Sequence, residues 1–252
     1  MLSDGGLLPL PKKGKRIAVL GFAGRSVFVG PAGSGSVVPT RLPSPLSAIA
    51  RMLGHEDGTI PPRCCATRCT NVSCPAECGA LIYDVMTVGG PTNLTRAAMM
   101  AAAADVAVVF VGCFSGEGED RQDLWVNASS AGQNELVEAV AAANPNTVVV
   151  VASPGAVVLP WHRRVPAIVA NFLPGQEVAA AVADILFGDA APSGKLPVTF
   201  PESYNVTAEP SSFPGLGFNG SSYVHNGVAY VPWMDPSFAV CKSDLHVVRC
   251  TV

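Results

Sequence analysis

The chain has 252 residues, of which 49% are hydrophobic and 14% charged, with a formal net charge of −3. This length holds one large domain or two small ones, and the composition suits a well-buried α/β core and not a disordered chain. The longest basic run is KKGKR at 12–16, and the most apolar stretch, 97–112, is broken by Asp105, which argues against nucleic-acid binding and against a membrane span.

Elements follow in chain order. RIAVLG at 16–21 reads as a short buried strand closed by glycine. The glycine-rich stretch 21–35 permits tight turns, but no Gly-Lys-Ser/Thr follows it, which disfavours a phosphate loop. Residues 44–53 predict a helix, with Ser44 as N-cap, Pro45 at the first helical position and Gly54 at the end. A short strand at 81–85 and an Ala- and Met-rich helix at 93–104 come next. The run from Asp105 is a strand that ends in a loop carrying Glu117, Glu119, Asp120, Arg121 and Asp123. An apolar strand with carboxylates at its C-terminal end is how open α/β sheets build active sites. A plain solvated acidic loop has the same spacing.

An amphipathic helix at 132–143 presents Leu136, Val137, Val140 and Ala141 on one face. TVVVVA at 147–152 has the continuous β-branched character of a strand buried on both faces. A strand at 167–172, the turn Pro174-Gly175-Gln176-Glu177, a helix at 178–187 ended by Gly188, and a last strand at 196–200 complete the pattern. The alternation predicts an α/β fold: a three-layer sandwich whose mostly parallel sheet of about five or six strands carries helices on both faces. Residues 1–15 read as a linker remnant, 16–202 as the domain with a Cys-rich excursion at 57–80, and 203–252 as a loop-rich tail.

Five of the eight cysteines lie together: Cys64, Cys65, Cys69, Cys74 and Cys78. Their spacings lack the close pairs of zinc sites, so disulfides are the favoured reading, and no metal or cofactor is expected. Cys241 and Cys250 are available as partners for the odd cysteine, and Cys113 reads as a small packing residue. Five N-x-S/T sequons, at Asn71, Asn93, Asn127, Asn205 and Asn219, point with the cysteines to a secreted, secretory-pathway or vacuolar glycoprotein. The opening segment has no signal-like order of charge and apolar run, so the natural N-terminus is expected to lie further upstream.

Several motifs together resemble one family. These are LLPLPKKGKRIAVLG, GSGSVVP followed by SPLSAI, SGEGEDRQDL, GQNELVEAVAAANPNTVVVV, and LPGQEVAAAVADILFGDAAPSGKLPVTF. In this order they resemble the C-terminal α/β sandwich domain of family 3 glycoside hydrolases, the β-glucosidases and β-xylosidases. The match covers about 5–202, with an echo at 223–231. Members that look like this chain are retaining exo-β-glycosidases that hydrolyse O-glycosidic bonds in carbohydrate breakdown. The resemblance implies an acid/base Glu in this domain and an Asp nucleophile on a preceding (β/α)8 barrel. Retention of configuration puts two such carboxyls about 5 Å apart.

Carried over, the acid/base is Glu117, with Glu119 as the alternative because the loop is shorter than in fungal-type enzymes. Asp120 and Arg121 match a family pair that fixes the loop or contacts substrate. Gly175, Gln176 and Glu177 match a structural turn in which Glu177 is placed to cap the following helix. Trp161 and His162 read as rim or packing residues.

A barrel needs at least about 200 residues, which do not precede the first strand here. The chain alone is therefore expected not to hydrolyse glycosides, its partners being the barrel and a β-linked oligosaccharide or glycoside. Asn226 stands where the family usually has Glu. The alternatives are a non-catalytic sugar- or partner-binding module derived from the same domain, and a nucleotide-binding flavodoxin-like domain, the latter disfavoured by the missing G-x-G-x-x-G turn.

Overall fold

A computed structural model describes residues 2–3, 6–27, 29–30, 33–55, 80–84, 93–118, 121, 123–126, 132–198, 200–201, 223–225 and 228–230. The cysteine cluster, four of the five sequons, Glu119, Asp120, Asn226, Cys241 and Cys250 lie outside them.

Eight strands and four α-helices are described: β1 (Leu2–Ser3), β2 (Ile17–Leu20), α1 (Pro45–Met52), β3 (Leu81–Asp84), α2 (Leu94–Ala102), β4 (Val106–Gly112), α3 (Gln133–Ala143), β5 (Thr147–Ala152), β6 (Ala167–Ala170), α4 (Val178–Phe187), β7 (Tyr223–His225) and β8 (Val228–Tyr230). One six-stranded sheet runs β1-β6-β5-β4-β2-β3, and β7 pairs with β8 in a separate hairpin. The five strands from β2 to β6 are mutually parallel, and β1 joins β6 antiparallel. Parallel neighbours need crossovers; α1, α2 and α3 lie in those from β2 to β5, the β5–β6 connection holds no α-helix, and α4 follows β6.

The central strands β4 and β5 are buried along their whole length. Alternate side chains therefore feed two cores. On one face Val109, Val111, Val149 and Val151 pack with Met100, Leu136, Val137 and Val140 of α2 and α3. On the other face Val108, Phe110, Val148 and Val150 meet Leu46 and Ile49 of α1 and Val178, Val182 and Leu186 of α4. The result is the three-layer sandwich that the sequence pattern predicts.

The helix signals act as read. Ser44 Oγ accepts from the Ser47 N–H, with Pro45 in the first turn of α1, and Gly188 ends α4 in the left-handed conformation. Asn93 Oδ1 accepts from the Arg96 N–H and caps α2.

Two expectations need correction. Residues 196–198 and 200 form no strand. Phe200 is buried and packs edge-on against Phe172, centroids 6.1 Å apart, but the edge beside β6 is taken by β1. Within the stretch read as linker, Leu2 and Ser3 thus belong to the sheet, and Leu10 is buried in the α1/α4 core.

Candidate functional site

In a parallel sheet the loops after the strands gather at one edge, and ligands bind there. Three loops carry the candidate residues to this edge: the one after β2, with Gly33 and Ser34; the one after β4, with Glu117 and Arg121; and the one after β6, with Gly175, Gln176 and Glu177.

Glu117 is exposed, and its Oε2 accepts a 2.6 Å hydrogen bond from the Ser34 N–H. Gly33 takes φ +86°, and a Cβ there would fall 2.5 Å from the Glu117 Cβ. The acidic loop thus lies directly on the glycine-serine turn, which only glycine at position 33 accommodates. Hydrogen bonding by Ser34, from side chain and backbone, holds the Glu117 carboxyl below its ordinary value, because it favours the charged form.

Arg121 braces the base of the loop. Its Nη1 donates to the Ala156 carbonyl at 3.1 Å and lies 3.8 Å from the Cys113 Sγ. Cys113 is fully buried, and burial pushes its thiol up against the opposing pull of Arg121. Asp123 closes a local turn by accepting from the Trp125 N–H. Leu124 and Trp125 then run beside Val158, whose N–H donates to the Leu124 carbonyl.

The loop's far anchor is Gln133, which the sequence reading missed. Its Oε1 accepts from the Gly112 N–H at 2.8 Å. Its Nε2 donates to the Gly112 carbonyl at 2.9 Å and to the Val126 carbonyl at 2.6 Å. One buried amide therefore ties the end of β4 to the last described residue of the loop. Such a residue stands out in a sequence only as a polar residue at a buried helix position, which periodicity cannot separate from a surface one.

Glu177 occupies the N-cap position of α4, but its side chain makes no cap hydrogen bond, contrary to expectation. The carboxylate turns instead to Arg41, which donates from Nη2 at 2.7 and 2.9 Å and from Nε at 3.2 Å. A guanidinium fork satisfies two carboxylate oxygens, which a helix end does with single N–H donors. Gln176 Oε1 accepts from the Thr40 N–H and Oγ1 at 3.1 and 3.3 Å, and its Nε2 donates to Glu177. Gly175 opens this turn at φ +76°.

Trp161 is fully buried, with its Nε1–H on Asn134 Oδ1 at 2.8 Å. His162 is buried, and its Nδ1 lies 2.8 Å from the Leu159 carbonyl. Both are packing residues.

The family profile described as "Glycosyl hydrolase family 3 C-terminal domain" matches residues 1–229. The chain belongs to this family. The domain is 38% identical over 143 residues to a beta-glucosidase of Rhizobium radiobacter, covering 54% of this chain and 17% of that enzyme. It is 31% identical over 212 residues to the thermostable beta-glucosidase B of Acetivibrio thermocellus, covering 83% of this chain and 25% of that enzyme. Among solved structures, the beta-glucosidase D2-BGL from Chaetomella raphigera superposes with a TM-score of 0.65 at 27% identity, over 83% of this chain and 30% of that one. The domain thus spans less than a third of the length of each of these three enzymes.

A groove of about 580 Å³ opens at the opposite end of the sheet, between Lys15, Arg16, Ala80, Ala103 and Asp105. Asp105 is tied there to the Arg16 N–H and to Lys15, and none of the described acidic residues of the family motifs lines it. Among the described residues no helix is long and apolar enough to cross a membrane, and no group of three His, Cys, Asp or Glu is arranged to hold a metal ion.

Proposed function

We propose that this domain supplies Glu117 as the general acid/base of a retaining exo-β-glycosidase of the β-glucosidase type. Its second carboxylate, the Asp nucleophile, comes from a (β/α)8 barrel seated over the same sheet edge. The observation that carries this reading is the seating of Glu117: an exposed carboxylate at the C-terminal edge of the sheet, held on a second family motif by the Ser34 N–H. Exposed Val37 and Val38 of that motif, with Leu42 after it, 72%, 91% and 48% accessible, give a barrel an apolar surface beside the carboxylate.

In this mechanism the nucleophile attacks the anomeric carbon while Glu117 protonates the leaving oxygen. Ionised Glu117 then takes a proton from the water that releases the sugar. Ser34 depresses the Glu117 carboxyl, which suits the base step and opposes the acid step. A carboxylate about 5 Å away, together with exclusion of water, raises it again. The barrel is therefore needed twice, for the nucleophile and for poising the acid, and the domain alone is inactive. The resemblance carries over Asp120 and Arg121 as a pair that fixes the loop or contacts the substrate, and Glu119 as the competing acid. The sequons and the clustered cysteines fit a secreted or vacuolar glycoprotein with disulfides.

The test is hydrolysis of an aryl β-glucoside and an aryl β-xyloside by the domain alone and mixed with a separately expressed family 3 barrel. Turnover in the mixture only, lowered on the order of 10²- to 10⁴-fold by Glu117→Gln and retained by Glu119→Gln, is the expected result. Azide, which needs no base to attack, restores turnover to Glu117→Gln. Full activity of Glu117→Gln in the mixture rejects the assignment.

A further inference from the structure

The strap 36–44 runs from the glycine-serine turn to α1 and passes the start of α4 on its way. It is exposed over most of its length and carries no regular secondary structure, so little of its own packing fixes its path. Two adjacent residues hold it from the far side. Thr40 donates twice to Gln176, and Arg41 grips Glu177 with three hydrogen bonds. Gln176 in turn donates to Glu177, so the four side chains form one connected clasp. Six residues before Thr40 lies Ser34, in the glycine-serine turn that leads into the strap, and its N–H seats on Glu117.

We propose that Gln176 and Glu177, acting through Thr40 and Arg41, are positioning residues for the acid/base: the clasp fixes the strap so that the Gly33–Ser34 turn stays against Glu117. This rests on the acid/base reading of Glu117. Gln176 and Glu177 touch no reacting atom, and none of the clasp bonds reaches the loop after β4. They act by limiting where the strap places a single N–H donor. An isolated exposed ion pair adds little to global stability, so the clasp acts chiefly on local geometry and only slightly on folding. A bidentate guanidinium contact is specific in direction as well as favourable, which is what a positioning device requires.

Charge alone and position alone predict opposite signs, and this makes the test decisive. Glu177→Gln removes a negative charge. Acting through space, that change lowers the Glu117 titration further. Acting through the clasp, it frees the strap, weakens the Ser34 hydrogen bond to the carboxylate, and raises the Glu117 titration toward its ordinary value.

The experiment is a carbon-detected NMR titration of the Glu117 side-chain carboxyl in the purified chain, with hydrogen exchange of the Ser34 amide read on the same samples. The expected result is an upward shift in Glu177→Gln and in the charge-neutral variant Gln176→Ala. Ser34 exchange should become faster by up to roughly tenfold, the weight of one weakened hydrogen bond. The swapped pair Arg41→Glu with Glu177→Arg restores both readouts. Lys12→Ala, which breaks the exposed Lys12–Asp189 pair elsewhere on the surface, changes neither. A Glu117 titration that stays put or moves down in both Glu177→Gln and Gln176→Ala overturns the inference. If that happens while Glu117→Gln still abolishes turnover with the barrel, the clasp fails and the acid/base reading stands. If the clasp variants shift Glu117 but Glu117→Gln keeps full turnover, the acid/base reading fails instead.

Discussion

Gln133 shows what one side chain does for the site. Its amide meets both backbone groups of Gly112 and the Val126 carbonyl in a buried setting. Truncation to alanine leaves these three backbone groups without that partner where water is scarce. Each buried unsatisfied group costs about 1–3 kcal/mol, so Gln133→Ala should lose about 3 kcal/mol or more of stability, measured as a lowered urea midpoint. Gln133→Glu keeps the shape but turns a lone-pair oxygen toward carbonyls, and its deficit should deepen as pH rises through the carboxyl titration. A Gln133→Ala midpoint within error of the parent's would show that the loop is anchored elsewhere. The same residue shows why the site was only partly legible. Glu117 and the glycine-serine turn each announce themselves as motifs, but 83 positions separate Ser34 from Glu117, and no local pattern encodes their contact. The partner of Glu177 was misread for a related reason: its position says helix cap, while a guanidinium 136 residues away decides where the carboxylate points.

At the scale of elements, the cores were legible because their periodicity is strong. β4 and β5 are β-branched runs buried on both faces, and α1 and α4 carry their own start and stop signals. The edge of the sheet was not. Residues 196–200 and residues 2–3 are both short enough to be strand or loop, and the choice depends on which reaches the free edge of β6; β1 does. The N-terminus of α2 offers a prediction at this scale, because Asn93 is both cap and sequon. Its Oδ1 makes the cap bond to the Arg96 N–H, and a glycan attaches through Nδ2, so the two roles are compatible on one side chain. Asn93→Ala should cost about 1 kcal/mol through the lost cap. Asn93→Asp removes the sequon and keeps the acceptor, with stability close to the parent in unglycosylated material. Equal losses in the two variants, read by thermal or urea unfolding, would remove the cap from the account.

At the scale of the whole molecule, three of the described exposed carboxylates that join segments far apart in the chain, Asp105, Glu117 and Glu177, titrate below their ordinary values. For Asp105 (ordinary value 3.8) the first cause is the hydrogen bond from the Arg16 backbone, joining the start of β2 to the start of β4. For Glu117 (ordinary value 4.5) it is Ser34, joining the loops after β2 and β4. For Glu177 (ordinary value 4.5) it is Arg41, joining the strap to the start of α4. A carboxyl that binds its proton more weakly in the folded state stabilises that state at pH above its unfolded value. As pH falls through the still lower folded value, that contribution disappears. The three ties therefore act in one direction, and acid loosens both ends of the sheet together. The urea midpoint should stay level from about pH 8 to about pH 5 and fall at lower pH. Each group is exposed, so the single contributions are small and screened by salt. The combined variant Asp105→Asn, Glu117→Gln, Glu177→Gln should start lower at neutral pH and show a shallower acid limb, converging on the parent as pH drops. Parallel acid limbs in parent and variant would place the acid sensitivity in other groups. On the proposed acid/base role of Glu117 the same measurement bears on catalysis, because protonating Glu117 in the free domain weakens the Ser34 bond that seats it. Docking of a barrel that raises the Glu117 titration should therefore move that step of the acid limb to higher pH, while the Asp105 step, at the far end of the sheet, stays where it is.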